Sequence, residues 1–147
     1  MKPLKSSGIW LGMFFPVLFI AVSARPAGAQ GFSGFYQVTS AVDQGDGTTQ
    51  VTLSVDLANT SASDAVNATV TLGDSVNPVA SYGSYAPTTV NSGTDVVLTA
   101  QFIVPNPEYA RWGSGGVTPN LTIQFVDSDS NPETDSVVLT QAPVASD

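Results

Sequence analysis

Strict alternation of apolar and polar residues is the feature that most constrains what this chain can fold into. It is clearest in residues 50–58, where four aliphatic side chains point to one side of an extended strand, namely Val51, Leu53, Val55 and Leu57. Successive side chains of a strand face opposite sides of a sheet, so a period of two residues is typical of a strand with one buried face. No apolar period of 3.6 residues persists after Gln30, and the pattern therefore predicts an all-β fold.

Turn-forming residues divide the rest of the chain into seven alternating segments. The predicted strands cover about residues 35–42, 50–58, 66–72, 79–82, 95–104, 120–126 and 135–141. Residues 105–118 are predicted to form the longest loop, because two prolines stop the preceding strand. This count and spacing favour a seven-stranded antiparallel Greek-key immunoglobulin-like β-sandwich.

The first 29 residues predict a secretory signal peptide. Two lysines precede an apolar run at 8–22, and residues 27–29 have the A-x-A form of a cleavage site. We predict cleavage between Ala29 and Gln30. The alternative is a retained membrane anchor, but the run is shorter than the roughly 20 residues of a membrane span and Pro16 interrupts it.

Four segments follow from this assignment. They are a cleaved signal peptide (1–29), a flexible lead-in (30–34), the immunoglobulin-like β-sandwich (35–142) and a C-terminal tail (143–147). The mature protein is predicted to be secreted or extracytoplasmic, whether in the periplasm, at the cell surface or outside the cell, with no membrane attachment after cleavage.

The composition narrows the chemistry. The 147 residues include no His and no Cys, so an imidazole base, a thiolate metal site and a disulfide are excluded. Predicted cleavage leaves one basic residue, Arg111, against 12 acidic residues, a net charge of −11. Such a surface does not bind nucleic acid, because phosphate neutralisation needs Lys and Arg. We predict a non-catalytic, cysteine-free, acidic protein with no cofactor other than, at most, calcium.

The first candidate site lies in the predicted final hairpin. Asp127, Asp129 and Asn131 place oxygen ligands at positions 1, 3 and 5, as at the start of an EF-hand calcium loop, and Asp135 follows. Pro132 stands where that loop needs glycine. Two interpretations stay open: an irregular calcium site made by these four polar residues, or a turn in which Asp and Asn favour the turn backbone.

The second candidate lies in the predicted long loop. Tyr109, Arg111 and Trp112 bring together a tyrosine, the mature chain's one cation and its one tryptophan. Flat aromatic rings beside a charged donor suit a sugar face or a partner protein. The alternative is that Trp112 tucks inward and closes one end of the sandwich. Tyr82 and Tyr85 pose the same choice between an open stacking surface and strand packing.

Three segments resemble a known family. Residues 51–72 (VTLSVDLANTSASDAVNATVTL) resemble the B–C hairpin of bacterial CARDB-like and related immunoglobulin-like or fibronectin-III-like domains. Residues 90–105 (VNSGTDVVLTAQFIVP) and 121–140 (LTIQFVDSDSNPETDSVVLT) are similar to a later long strand and the final hairpin of that family. The resemblance covers about residues 35–142 and implies a secreted or cell-surface adhesion, spacer or accessory domain.

We therefore expect a secreted, non-catalytic domain with structural or adhesion-type work at the cell surface. One alternative is a small carbohydrate- or calcium-binding module. Another is a subunit of a self-assembling surface filament or layer, in which an unpaired edge strand completes a neighbour's sheet. The expected partner is a protein or polysaccharide at the cell surface, or another copy of the chain.

Overall fold

The computed structural model describes residues 31–143 apart from Pro78, Gly115 and the side chain of Ser114. The predicted signal peptide, its cleavage site at Ala29 and Gln30, and the last four residues lie outside this part. The described residues form nine strands and one helix. They are β1 (Phe32–Asp43), β2 (Thr48–Asn59), β3 (Ala65–Asp74), β4 (Gly83–Ser84), β5 (Thr88–Val90), β6 (Asp95–Pro105), α1 (Asn106–Ser114), β7 (Pro119–Val126), β8 (Pro132–Val138) and β9 (Thr140–Gln141).

The strands form two sheets. The first sheet has the order β6-β2-β1-β9, and the second has the order β4-β3-β7-β8, with β5 also paired to β3. Neighbouring strands are antiparallel except β1 and β9, which are parallel. The chain crosses from the second sheet to the first at Leu139, a buried residue between β8 and β9. The prediction of an all-β protein is confirmed, and the two sheets are consistent with a β-sandwich.

The core lies between the sheets. The side chains predicted to face inward from residues 50–58 are all completely buried, and they pack with aliphatic residues of β3 and β7. The large, fully buried aliphatic residues of these three strands are Val51, Leu53, Val55, Leu57, Val70, Leu72, Leu121 and Ile123. Burying each such side chain contributes about 1.5–3 kcal/mol, so this cluster stabilises the fold without any disulfide.

The segment 79–82, predicted as a strand, is not one. Ala80 N donates to the carbonyl of Asn77 in a turn, and Val79 is 86% exposed. The turn presses against β3 so closely that a Cβ on Gly73 would lie 2.8 Å from the carbonyl oxygen of Ala80. Pairing with β3 begins at Gly83, whose positive φ of 128° redirects the backbone.

Two strands also differ from the predicted pattern, β1 at its first residues and β3 at a bulge. β1 begins at Phe32, so residues 32–34 of the predicted flexible lead-in belong to the sheet. Phe32 is buried and meets the ring of Phe125 edge-on with centroids 5.5 Å apart. In β3, the alternation of residues 66–72 predicts that Val66 faces the core, but the register shifts at Asn67, which has a φ of 51°. The bulge turns Ala65 inward instead.

The predicted loop at 105–118 begins with helix α1, which corrects the sequence interpretation. Pro107 stands in the first turn, where its missing N–H costs no hydrogen bond and its fixed φ suits a helix. Glu108 in the first turn and Arg111 in the last turn complement the helix dipole. The residues that stop β6 therefore also start a helix. Among the described residues, no helix is long and apolar enough to cross a membrane.

Candidate functional site

The aromatic candidate is built around a carboxylate that is not among the predicted site residues. Asp74, at the end of β3, is buried. Its Oδ1 accepts hydrogen bonds from the backbone N–H groups of Val76 (2.7 Å) and Asn77 (3.1 Å). Its Oδ2 accepts from Arg111 Nη2 and from Trp112 Nε1, both at 3.0 Å. One side chain thus joins a turn of the second sheet to α1.

This environment keeps Asp74 ionised. Burial acts to raise the pKa of Asp74, but hydrogen bonds from Val76, Trp112 and Asn77 and the positive charge of Arg111 together lower it below its ordinary value. A buried charge is tolerated when it is paired and its oxygens accept several hydrogen bonds. Asp74 meets both conditions, so its charge is a structural element of the fold.

Trp112 is held inside the protein. It is buried, and it meets the rings of Tyr82 and Tyr109 edge-on with centroids 5.8 and 5.9 Å apart. Its carbonyl accepts a hydrogen bond from the hydroxyl of Tyr36. Tyr82 in turn donates to Glu108 on the same helix. This geometry favours the alternative in which Trp112 closes one end of the sandwich over the alternative in which it stacks on a ligand.

The other residues of this group follow the same pattern. Tyr109 is half-buried, and the side chain of Arg111 is 36% exposed with one nitrogen on Asp74. Tyr85 is buried, donates to the carbonyl of Leu53, and meets Phe102 edge-on. Burial raises the pKa of the Tyr85 hydroxyl. The tyrosines therefore pack the interior rather than forming an open stacking surface.

The acidic candidate lies in the turn between β7 and β8 and in β8 itself, and Ser128 of the turn bonds to Ser63 of a neighbouring loop. Asp127 Oδ1 accepts from the backbone N–H groups of Asp129 and Asn131, each at 2.8 Å, and the Asn131 amide also points at Asp127. Asp135 accepts from the N–H groups of Gly31 and Ser136. The carboxylates are thus aimed at backbone donors, as expected for Asp in turns.

Several acidic residues nevertheless line one open depression. It has a volume of about 630 Å³ and lies between this turn and the loop 61–63, with Asp127, Asp129, Glu133 and Asp135 on its wall. Among the described residues, no three acidic side chains come together in a group that could hold a metal ion. A calcium site here stays a prediction, and the geometry gives the turn interpretation its support.

A third feature, which is not one of the predicted sites, is the free side of β6. β6 pairs with β2 over its whole length, from Asp95 to Pro105, and with no other strand of the described part. Alternation shows that β6 is a strand, but it carries no information on which strand ends a sheet. The feature of the sequence that could have indicated this edge is the lack of any charged residue between Asp95 and Pro105.

The backbone of β6 presents alternate residues to its free side. The backbone carbonyl of Thr94 accepts from the N–H of Asn59, and the backbone N–H of Asn106 donates to the carbonyl of Gly47. The backbone polar groups of both residues that flank β6 therefore point toward β2. Antiparallel strands alternate the direction of their polar groups. Even-numbered residues of β6 therefore bond to β2, and odd-numbered residues direct their N–H and C=O groups outward. Pro105, which has no N–H to lose, sits at an outward position.

The outer face beside this edge is apolar in part. Val97 and Ile103 of β6 are 66% and 49% exposed, and Phe35 of β1 is 49% exposed. Phe35 and Val97 line a shallow depression of about 520 Å³ that also includes Asp56. Partial desolvation and repulsion by Asp95 raise the pKa of Asp56. This combination of exposed apolar groups and a free edge is typical of an interaction surface.

Comparison with known proteins leaves the family open. No protein-family model matches the chain, and no curated protein matches its sequence.

Proposed function

We propose that this chain is a secreted, non-catalytic structural or adhesion-type domain with an immunoglobulin-like, Greek-key arrangement, and that it works by adding a strand at the free edge of β6. The observation that carries the proposal is the edge itself: eleven residues, with outward-pointing backbone groups and no charge after Asp95. Strand addition is a general mode of recognition in which main-chain hydrogen bonds supply affinity and alternate side chains supply specificity.

The positions of the reactive side chains support a non-catalytic role. Asp74 and Trp112 are residue types that often occur in binding or catalytic sites, but here their hydrogen bond joins α1 to the second sheet. Asp127 is aimed at its own turn. A turnover by the protein that depends on one specific carboxylate would contradict this part of the proposal.

Secretion is tested on the exported product. Expression of the full chain in an export-competent bacterium, followed by N-terminal sequencing of the protein outside the cytoplasm, should show Gln30 as the first residue. A product that keeps its first residues in a membrane fraction would support the anchor alternative and contradict secretion.

The free edge is tested by amide hydrogen exchange, measured by NMR on the exported protein in dilute solution. Amides at even positions of β6, such as Leu98 and Ala100, should exchange slowly because β2 holds them. Amides at odd positions, such as Thr99 and Gln101, should exchange quickly because they point outward. Slow exchange at the odd positions of a monomer would mean that another part of the chain covers the edge, and the proposal would fail.

A binding module is the second candidate, supported by the depression at Phe35. An exposed ring on the outer sheet face beside Gln37, Ser54 and Asp56 offers stacking and hydrogen bonds to a polysaccharide. Phe35→Ala should weaken such binding in a titration with soluble polysaccharides, with Val138→Ala on the exposed face of β8 as control. Equal binding by wild type and both variants would exclude this face.

A further inference from the structure

We infer that the strand added to β6 is β6 of a second copy of this chain, antiparallel, with Ala100 opposite Ala100, so that two four-stranded sheets become one sheet of eight strands. This inference rests on the proposed function and names its partner. It follows from the direction of the backbone groups, the side-chain pattern of β6 and the charge of the molecule.

Backbone direction restricts the register. In a symmetric antiparallel pair, the numbers of opposing residues add up to a constant, and opposing side chains share one face of the sheet. With Ala100 at the centre, the outward-directed residues oppose one another: Thr99 faces Gln101 of the second copy, and Val97 faces Ile103 of the second copy. Four such pairs exchange about eight hydrogen bonds, which use the outward N–H and C=O groups identified above.

The side chains are self-complementary in this register. On the outer face, the exposed Val97 and Ile103 meet each other, and Thr99 meets Gln101. On the inner face, Leu98 meets Phe102. Apolar residues therefore oppose apolar residues, and polar residues oppose polar residues, which is the arrangement that stabilises cross-strand pairs.

The neighbouring registers lack this match. A centre at Thr99 places Val97 opposite Gln101 and Asp95 opposite Ile103. A centre at Gln101 places Thr99 opposite Ile103 and Val97 opposite Pro105. Each of these puts polar groups against aliphatic side chains on both sides of the interface.

The partial exposure of inward-facing side chains of β6 also favours a second copy at this edge. Val96, Leu98 and Ala100 face the interior of the sandwich, yet they are only half-buried, whereas Phe102 and Val104 farther along β6 are buried. In contrast, the inward side chains of the neighbouring β2 are completely buried. A second copy of β6 extends the sheet beside these residues and covers the side chains that the monomer leaves in water.

The charge distribution favours this edge for pairing between two acidic molecules. The chain carries 12 acidic and four basic residues, so most faces of two copies repel each other. β6 has one acidic residue, Asp95, and the register places it opposite Pro105 of the second copy. By comparison, the outer edge strand of the second sheet, β8, holds Pro132, Glu133 and Asp135, which protect an edge against pairing.

The chain's lack of cysteine makes the register measurable. A single introduced cysteine can form a disulfide only between copies. Ala100→Cys should give a disulfide-linked dimer under mild oxidation, because directly opposed residues of a non-hydrogen-bonded pair have Cα atoms about 4.5 Å apart, within disulfide range. Thr99→Cys is the matched control: its Cα atoms lie about 8 Å apart in this register, too far for a disulfide.

The measurement uses the exported protein, with light scattering of the unmodified chain alongside the two variants. Light scattering should show a dimer whose population rises with concentration. Disulfide cross-linking should be at least roughly tenfold faster for Ala100→Cys than for Thr99→Cys, a ratio that corresponds to about 1.4 kcal/mol. Mixing Thr99→Cys with Gln101→Cys should restore cross-linking between the two variants.

Each contrary result has a distinct meaning. Fast cross-linking of Thr99→Cys alone overturns the register. A monomer at all concentrations, with fast exchange at the odd amides, overturns the second copy as partner but leaves strand addition by a different protein. Slow exchange at the odd amides of a monomer overturns both the inference and the proposed function.

Discussion

Asp74 and the free edge of β6 use polar groups in opposite ways. Asp74 lies in the interior, and both of its oxygens have partners from two parts of the fold. The edge of β6 lies at the surface, and every second residue directs an N–H or C=O away from its sheet. The first arrangement stabilises the monomer and offers nothing to a ligand, whereas the second contributes little to the monomer and is suited to a partner.

Conspicuous residue types are a poor guide to the interaction surface of this protein. Trp112 and Arg111 look like a binding site in the sequence, but both bond to Asp74. β6 contains no residue type that suggests a site. A surface suited to strand pairing is made of backbone groups, which every non-proline residue carries, so residue identity alone does not reveal it.

Replacing Trp112 should give the largest change in stability. Trp112→Ala should lower the free energy of unfolding by about 4 kcal/mol, because a large aromatic side chain leaves a cavity among Tyr82 and Tyr109. Urea unfolding followed by circular dichroism measures this. Trp112→Phe should cost less, since most of the ring contact is kept. Equal stability of all three proteins would mean that Trp112 is exposed in solution.

Proline substitutions at two neighbouring positions of β6 test whether their backbone N–H groups point to opposite sides of the strand. Ala100→Pro should lower the free energy of unfolding by about 1–3 kcal/mol, because it removes an N–H that bonds to β2 and leaves the carbonyl acceptor without its partner. Thr99→Pro should cost much less stability, because the lost N–H points outward. It should raise the dimer Kd at least roughly tenfold, since each dimer loses two hydrogen bonds of about 1 kcal/mol.

Both proline variants are compared with wild type by urea unfolding, and Thr99→Pro also by sedimentation. Equal loss of stability in the two variants would show that odd and even positions are not distinct. Unchanged dimerisation of Thr99→Pro would show that copies associate elsewhere.

Removing the Asp74 carboxylate should cost about 3 kcal/mol. Asp74→Ala leaves the buried indole N–H of Trp112 without its acceptor and removes the ion pair with Arg111. Arg111→Ala should cost less, about 1–2 kcal/mol, because the buried Asp74 loses its ion-pair partner but keeps its hydrogen bonds from Val76, Asn77 and Trp112. A larger effect for Arg111→Ala than for Asp74→Ala in urea unfolding would contradict the assignment of Asp74 as the centre.

Acid should weaken the protein through the same carboxylate. The pKa of Asp74 is lowered in the folded state, so its contribution is complete above the unfolded-state pKa of about 3.9 and is lost as the pH falls through the folded-state value. Urea unfolding from pH 5 down to pH 2 should show a smaller loss of stability for Asp74→Asn than for wild type. Parallel curves would indicate that Asp74 is not ionised in the fold.

The smallest effect is expected at the acidic turn. Asp127→Ala should lower the free energy of unfolding by about 1 kcal/mol, because the turn loses the acceptor for two backbone N–H groups. The loss should be equal with calcium and with a chelator if the turn interpretation holds. A thermal midpoint that rises with calcium in wild type, but not in Asp127→Ala, would support the calcium prediction instead.

Much of the secondary structure was accessible from local pattern. The alternation at 50–58 identified β2 and its inward residues, and the same pattern located β6 and β7 within a few residues of their observed ends. Departures occur where local pattern and contact disagree. The bulge at Asn67 turns Ala65 inward, and the turn at Ala80 packs against Gly73 in place of a strand. The two prolines on either side of Asn106 predict the end of a strand, but Pro107 also suits the first turn of a helix, which the structure shows.

The alternation in the sequence is enough to predict an all-β chain and the residues of β2 that face the core, because alternation is a local property of an extended backbone. The tertiary structure makes Asp74 the acceptor for Arg111 and Trp112, which lie 37 and 38 residues farther along the chain. It also decided that β6 ends its sheet. Strand order depends on contacts between distant segments, and no local period carries that information.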